Sequence, residues 1–307
     1  MIEINKLNAW FDDNHVLKDV DIKVPKNGSF GLVGESGSGK STVLRTITGL
    51  VDDWEGQLNA WPLDEGLIDY VKADGYQHEL GNAGATANII ASNRINVGGE
   101  TLNVASLSPA LLADLNEVGG SEANVATGYH AVEFLLWGQD LHGTDAGAGE
   151  RKWTDYAAGD DCTNGNCDRR GEYLQAAADL MVSDLEWITE QWAEGGEARE
   201  TVLEGDGFPG LTAIVTGMGS LSYGELGGER TKLGLLLHDP EEEHDCFSDN
   251  THNSHYYDGK GIQNVYLGEY QQVNGETLSG PSLSDLVAAN DPAVDSQLKQ
   301  AFEASEA

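Results

Sequence analysis

Gly128-Tyr129-His130-Ala131-Val132-Glu133-Phe134-Leu135-Leu136-Trp137 reads as one apolar helix with two polar side chains set into it. His130 and Glu133 stand three residues apart, so on a helix they project from the same face. An imidazole and a carboxylate side by side inside an apolar helix supply half of a metal site. The same pair also fits a plainer role, a buried hydrogen bond that orients the helix. The spacing H-x-x-E is not H-E-x-x-H, so the zinc-protease arrangement with glutamate as general base does not follow. Ser121 or Asn124 is the expected start of the helix and Gly138 its end.

Working outward, the chain is mostly helix-compatible. Ser108-Pro109 before Ala110-Leu111-Leu112 predicts an N-cap, a first-turn proline and a short helix. Arg170 to Trp192 is amphipathic, with Leu174, Ala177, Met181, Leu185, Ile188 and Trp192 on one stripe. A second long helical stretch runs from about Leu211 to Leu237 and sets Glu225 and Glu229 at i, i+4. Ser282 to Asn290 and Pro292 to Ala307 also read as helices. The segment from Asp239 to His252 is dense in carboxylates and imidazoles. Glu225, Glu229, Glu243 and Asp245 are therefore candidate metal partners for His130 and Glu133, although each alone suits a solvated acid. Cys162 and Cys167 flank an Asn-Gly turn and fit a small disulfide loop, which implies an oxidising compartment. A pair of soft metal ligands is the other reading, but it lacks a second cysteine pair.

Charge narrows the function classes. Of 307 residues, 52 are Asp or Glu and 17 Lys or Arg, a formal net charge of −35. Such a balance repels nucleic acid and anionic membranes and suits cation binding or simple solubility. No run of 18 or more apolar residues exists, so no transmembrane segment is expected. The imbalance is uneven: residues 1–54 carry eight acidic and six basic side chains, and the rest of the acid lies beyond them. A domain boundary is expected between Leu50 and Gln57.

Before that boundary, Ile2, Ile4 and Leu7, then Val20, Ile22 and Val24, alternate as two strands. Asn27-Gly28 predicts a turn and Phe30-Gly31-Leu32-Val33 a buried strand. It runs into Gly34-Glu35-Ser36-Gly37-Ser38-Gly39-Lys40-Ser41, which fits G-x-x-x-x-G-K-[ST] in full. Such a loop cradles phosphates with its backbone N–H groups, Lys40 reaching the β- and γ-phosphates and Ser41 holding Mg²⁺. With Val16-Leu17-Lys18-Asp19-Val20, residues 1–50 resemble the start of an ABC-transporter ATPase subunit. The resemblance implies Phe11 as the adenine-stacking aromatic, Gly34, Gly37, Gly39, Lys40, Ser41 and Thr42 as the phosphate site, and ATP with Mg²⁺ if this segment folds. The family's remaining motifs do not follow. Leu221 to Arg230 and Leu235 to Asp239 imitate two of them, but Asp239 comes only nine positions after Arg230, too few for the intervening helix and strand. ATPase activity is not expected.

Residues from about 55 to 307 resemble the imelysin family, envelope proteins also described as insulin-cleaving peptidases or iron-regulated proteins. Three stretches carry the resemblance: Leu58-Asn59-Ala60-Trp61-Pro62-Leu63-Asp64-Glu65, the G-x-H-x-x-E run at Gly128, His130 and Glu133, and Glu241 to Thr251. The resemblance implies a mainly α fold of helical bundles, here preceded by a small β/α phosphate-loop fragment. Two domains are expected, 1–54 and 55–307, the second incomplete at its N-terminus and short at its C-terminus. The implied function is metal binding, iron-associated, or metallopeptidase action on a peptide, with iron, zinc and calcium unresolved. The resemblance implies the periplasm or envelope. The start at Met1 has no signal-peptide pattern, so this version is expected in the cytoplasm if expressed as written.

Overall fold

Local sequence sets most element ends in the computed structural model, which describes residues 2–11, 14–24, 58–72, 87–121, 123–203, 205, 207–238 and 243–305. The turn at Asn27-Gly28, the strand at Phe30 to Val33, the phosphate loop Gly34 to Ser41 with Thr42, and the joint between Leu50 and Gln57 lie outside the described residues. The chain divides into two compact units, Met1–Leu135 with Lys152–Asp184, and Leu136–Arg151 with Leu185–Ala307. The fold is mainly helical, as expected.

In the first unit, β1 (Ile2–Phe11) and β2 (Asn14–Val24) pair antiparallel, with Ile4 opposite Ile22 and Phe11 opposite Asn14. The alternating apolar runs predicted both strands. A short α1 (Glu65–Ile68) is capped by Asp64, whose carboxylate accepts from Gly66 N–H at 3.0 Å. Next, β3 (Arg94–Val97) and β4 (Glu100–Asn103) form a hairpin that buries Ile95 and Val97 on one face. Its two-residue turn, Gly98-Gly99, has φ +59° and +86°, the left-handed pair that a tight hairpin with right-handed twist requires. A Cβ on Gly98 would meet Gly119 Cα at 2.7 Å, whereas one on Gly99 would meet nothing within 4 Å. Gly98→Ala is therefore expected to lose about 1–3 kcal/mol and Gly99→Ala only the conformational part, about 1 kcal/mol. Urea midpoints of the two variants check this, and equal losses would remove the packing argument.

α2 (Pro109–Asp114) starts as predicted, with Ser108 Oγ accepting from Leu111 N–H at 3.2 Å. α3 (Gly128–Trp137) carries His130 and Glu133 but starts later than Ser121 or Asn124. Long-range bonds override the capping signal. Asp64 N–H donates to Ala123 O at 2.8 Å, and Ala126 N–H donates to Asn116 Oδ1 at 2.8 Å. With residues 123–126 tied down, the chain turns into the helix at Gly128 (φ +86°), and Gly138 (φ +77°) follows its last turn.

α4 (Cys167–Trp192) is the long amphipathic helix. Its first half buries Arg170, Tyr173, Ala176 and Ala177, and Tyr173 OH donates to Ala126 O at 2.7 Å. Burial pushes the Tyr173 phenol far up. The predicted stripe is right in spacing, but Leu185 and Trp192 on it are exposed. Cys162 and Cys167 are joined by a disulfide. Cys246 lies in the second unit, buried and outside that bond.

The second unit continues with α5 (Glu197–Leu203), α6 (Phe208–Gly219), a π-helical segment (Ser220–Leu233), α7 (Gly234–Leu237) and α8 (Thr251–Leu267). A hairpin of β5 (Glu269–Gln271) and β6 (Thr277–Ser279) leads to α9 (Leu283–Asn290) and α10 (Pro292–Ser305). Ser282 and Asp285 form a capping box at α9. Asp295 knits three helices, accepting from Ser284 (2.7 Å), Tyr266 (3.0 Å) and Lys299 (3.0 Å). Donation from Ser284 and Lys299 holds the Asp295 carboxyl below its ordinary range. Burial and the facing Asp295 push the Tyr266 phenol up to about 12.

Candidate metal centre

The apolar positions of α3 dictate what it buries. Ala131, Phe134 and Leu135 are fully enclosed, and His130 and Glu133 lie on the same buried side, 1% and 8% exposed. Their facing atoms, His130 Nδ1 and Glu133 Oε2, are 3.3 Å apart. The other ring nitrogen, Nε2, lies 3.1 Å from Asn59 Oδ1. Trp61 packs its ring edge-on against the imidazole, with centroids 4.9 Å apart. Two of the stretches that carry the family resemblance, 71 residues apart between Asn59 and His130, thus meet at one imidazole. Asn59 had no role in the sequence reading, because nothing local to it marks a ligand-orienting side chain.

This geometry sets a protonation problem. A carbonyl oxygen only accepts, so an Nε2 that faces Asn59 Oδ1 carries the hydrogen. In a neutral imidazole Nδ1 then bears a lone pair, and that lone pair faces a carboxylate oxygen. Two electron-rich atoms at this distance call for a positive charge between them, a proton or a metal ion. Two ligands about 2.1 Å from a tetrahedral ion stand about 3.4 Å apart. The donor set and its spacing fit a metal.

The remaining candidates lie in the second unit. Glu225 and Glu229 lie on the π-helical segment, whose backbone hydrogen bonds span five residues. Five positions along, Arg230 takes Glu225, with Nη2 at 2.6 Å and Nε at 2.9 Å from Oε1. Glu229 is exposed. Gly224, Gly227 and Gly228 lie within this segment. Glu243 and Asp245 converge before α8: Thr251 Oγ1 accepts from Asp245 N–H at 3.0 Å, and its hydroxyl donates to Glu243 Oε1 at 3.2 Å. Burial raises the Glu243 carboxyl, against the Thr251 bond and with help from Asp249, Asp140 and Asp245. His244, 8% exposed, sits beside Asp245, Nδ1 to Oδ2 at 3.8 Å. On α8, His255 and Asp258 repeat the three-residue imidazole–carboxylate spacing. Burial lowers the His255 imidazole and raises the Asp258 carboxyl.

The family model described as Imelysin, a peptidase M75 family, matches residues 39–307. The chain belongs to the imelysin family. Short N-terminal parts of this imelysin are also similar to ATP-binding subunits of ABC importers. The phosphate import ATP-binding protein PstB of Thermococcus kodakarensis is 53% identical over 51 residues, 17% of this chain and 20% of that protein. The methionine import ATP-binding protein MetN of Clostridium acetobutylicum is 42% identical over 81 residues, 26% of this chain and 25% of that one. The imelysin chain thus spans a fifth to a quarter of the length of these curated relatives. No described helix is long and apolar enough to cross a membrane.

Proposed function

We propose that this imelysin is a metal-binding protein of the cell envelope, with His130 and Glu133 at the core of its site. One observation carries the reading: Nδ1 of a buried imidazole, whose Nε2 faces a carbonyl oxygen, stands 3.3 Å from a buried carboxylate. A divalent ion resolves that opposition. A nitrogen–oxygen donor pair suits iron or zinc, and a site richer in carboxylates suits calcium. Glu243 and Asp245, beside His244, are further donors available in this chain. Glu225 is a weaker candidate because Arg230 already neutralises it, and Glu229 is weaker still because it is exposed. The disulfide supports an oxidising compartment.

Elemental analysis of the purified protein beside His130→Ala tests the reading. The variant is expected to lose the bound metal, and equal content in both would sink the assignment. Iron capture and peptide hydrolysis diverge at the next step. A bound metal would supply Lewis-acid activation of water only in the peptidase, so chelator-sensitive cleavage of an unstructured polypeptide distinguishes the two.

A second reading is nucleotide binding, favoured by the phosphate-loop pattern at Gly34 to Ser41 and the likeness to ATP-binding import proteins. No Lys40-dependent ATP turnover is expected. Turnover in the wild type that Lys40→Ala abolishes would overturn that expectation.

A further inference from the structure

The four residues enclosed by the disulfide lie against a buried charge network in the first unit. Asp155, fully buried, accepts at Oδ1 from Thr163 Oγ1 (2.6 Å) and Asn164 Nδ2 (2.9 Å), and at Oδ2 from Tyr70 OH (2.5 Å). Arg170 donates to Asp155 O (2.7 Å) and Gly165 O (3.1 Å), and its far side pairs with Asp69. The loop that makes these contacts is strained. Asn164, Gly165 and Asn166 have φ of +59°, +69° and +53°, three consecutive left-handed residues of which two carry a Cβ. Thr163 is also tied by its N–H to Thr154 O at 3.1 Å and Asn166 by its carbonyl to Arg170 N–H at 2.8 Å, so the segment most dependent on the disulfide is Asn164 and Gly165.

We propose that the Cys162–Cys167 disulfide is a redox-operated clasp over the Asp155–Arg170 network, closed when oxidised and opened by a dithiol reductant. A reductant thiolate attacks Sγ of half-buried Cys162, the S–S bond breaks, and the buried Cys167 sulfur leaves as a thiolate and takes a proton from solvent. The reductant's second thiolate displaces the Cys162 sulfur from the mixed disulfide, and that sulfur is protonated in turn. The reductant ends as its own disulfide, having given up two electrons and two protons. Once open, the loop relaxes out of the left-handed run, and Asn164 and Gly165 leave Asp155 and Arg170.

The clasp has a pH signature. Burial alone would raise the Asp155 carboxyl, but donation from Thr163, Tyr70 and Asn164, with Arg170 nearby, outweighs it and holds the group below its ordinary value. A carboxyl depressed in the fold contributes stability above its unfolded value, lost as pH falls through the folded value. The groups facing it are Tyr70 and Arg170, with Asp69 beyond the guanidinium. Opening the clasp removes part of that contribution, whereas the chain-entropy effect of a disulfide does not depend on pH.

Hydrogen exchange of the first turns of α4, corrected for intrinsic rates, reads this out in the full chain, oxidised and dithiothreitol-reduced. The oxidised-to-reduced protection ratio is expected to be about tenfold larger near pH 6.5 than near pH 2.5, what one hydrogen bond to a charged group contributes. A ratio equal at both pH values overturns the proposal. Asn164→Gly keeps the left-handed backbone and removes the amide donor, so its ratio is expected to be nearly independent of pH. The same variant covers the case in which reduction unfolds the unit. Kept oxidised, it is expected to lose less protection on acidification than the wild type, and an identical loss counts against the clasp.

Discussion

Asp69→Ala is expected to destabilise the first unit by about 3–5 kcal/mol, the cost of leaving a buried guanidinium without its carboxylate. Arg170 and Asp69 are 1% and 3% exposed at their side chains, and Nε and Nη2 reach the two carboxylate oxygens at 2.7 and 3.1 Å. Such a bidentate pair is strong in geometry, yet much of its Coulombic gain only offsets the desolvation of two charges. The large effect comes from breaking it. Asp155 O and Gly165 O are carbonyl acceptors and cannot neutralise the cation, and the Asp155 carboxylate acts on it only through space, without a direct bond to take the place of Asp69. The pair holds the guanidinium above its ordinary value even though burial pulls the other way. At an m-value of about 2 kcal/mol/M, the urea midpoint should fall by about 2 M. Asp179→Ala, on the exposed side of α4, should move it by no more than about 0.5 kcal/mol in stability. A loss below about 1 kcal/mol for Asp69→Ala would mean that water already reaches the pair.

That ion pair spans 101 residues, which is why its energetic weight is invisible in the sequence while the helix it sits on is plain. What proved legible was local. The three-residue step from His130 to Glu133, Ser108 before Pro109, and the Asn-Gly between two cysteines each state a geometry within one turn of chain. The strand run from Ile2 to Val24 was legible for the same reason, its alternation being a period of two. Where the reading missed, a longer-range or subtler cause was at work. The start of α3 was placed early because Asn124 looks like a cap, but in the fold its side chain donates to Val118 O and the bonds of Asp64 and Asn116 hold the approach. The spacing of Ser220–Leu233 reads as ordinary helix, but the segment is π-helical, and the pairing of Arg230 with Glu225 five positions back is a side-chain choice no local pattern states. The hairpin at Gly98-Gly99 has strands of only four residues, too short for alternation to stand out.

Asn59 is the most consequential omission, and it supplies the sharpest test of the metal site. If the ion sits between Nδ1 and Oε2, Glu133 is a ligand and Asn59 holds the ring from the opposite nitrogen. Removing a ligand should then cost more than removing an orienting partner, whose loss lowers metal affinity about 10–100-fold. The expected order, by titration of apoprotein with iron(II) or zinc, is His130→Ala without measurable binding, Glu133→Gln weakened by more than about 100-fold, and Asn59→Ala weakened by about 10–100-fold. The reverse order for the last two would move the ion to Nε2 and make Glu133 the residue that fixes the tautomer. pH separates the cases further. An ion at Nδ1 competes with the one proton that can sit between imidazole and carboxylate, so wild-type affinity should fall on acidification. Glu133→Gln should retain the dependence that comes from the imidazole alone, and a profile unchanged in slope from the wild type would remove Glu133 from the coordination shell.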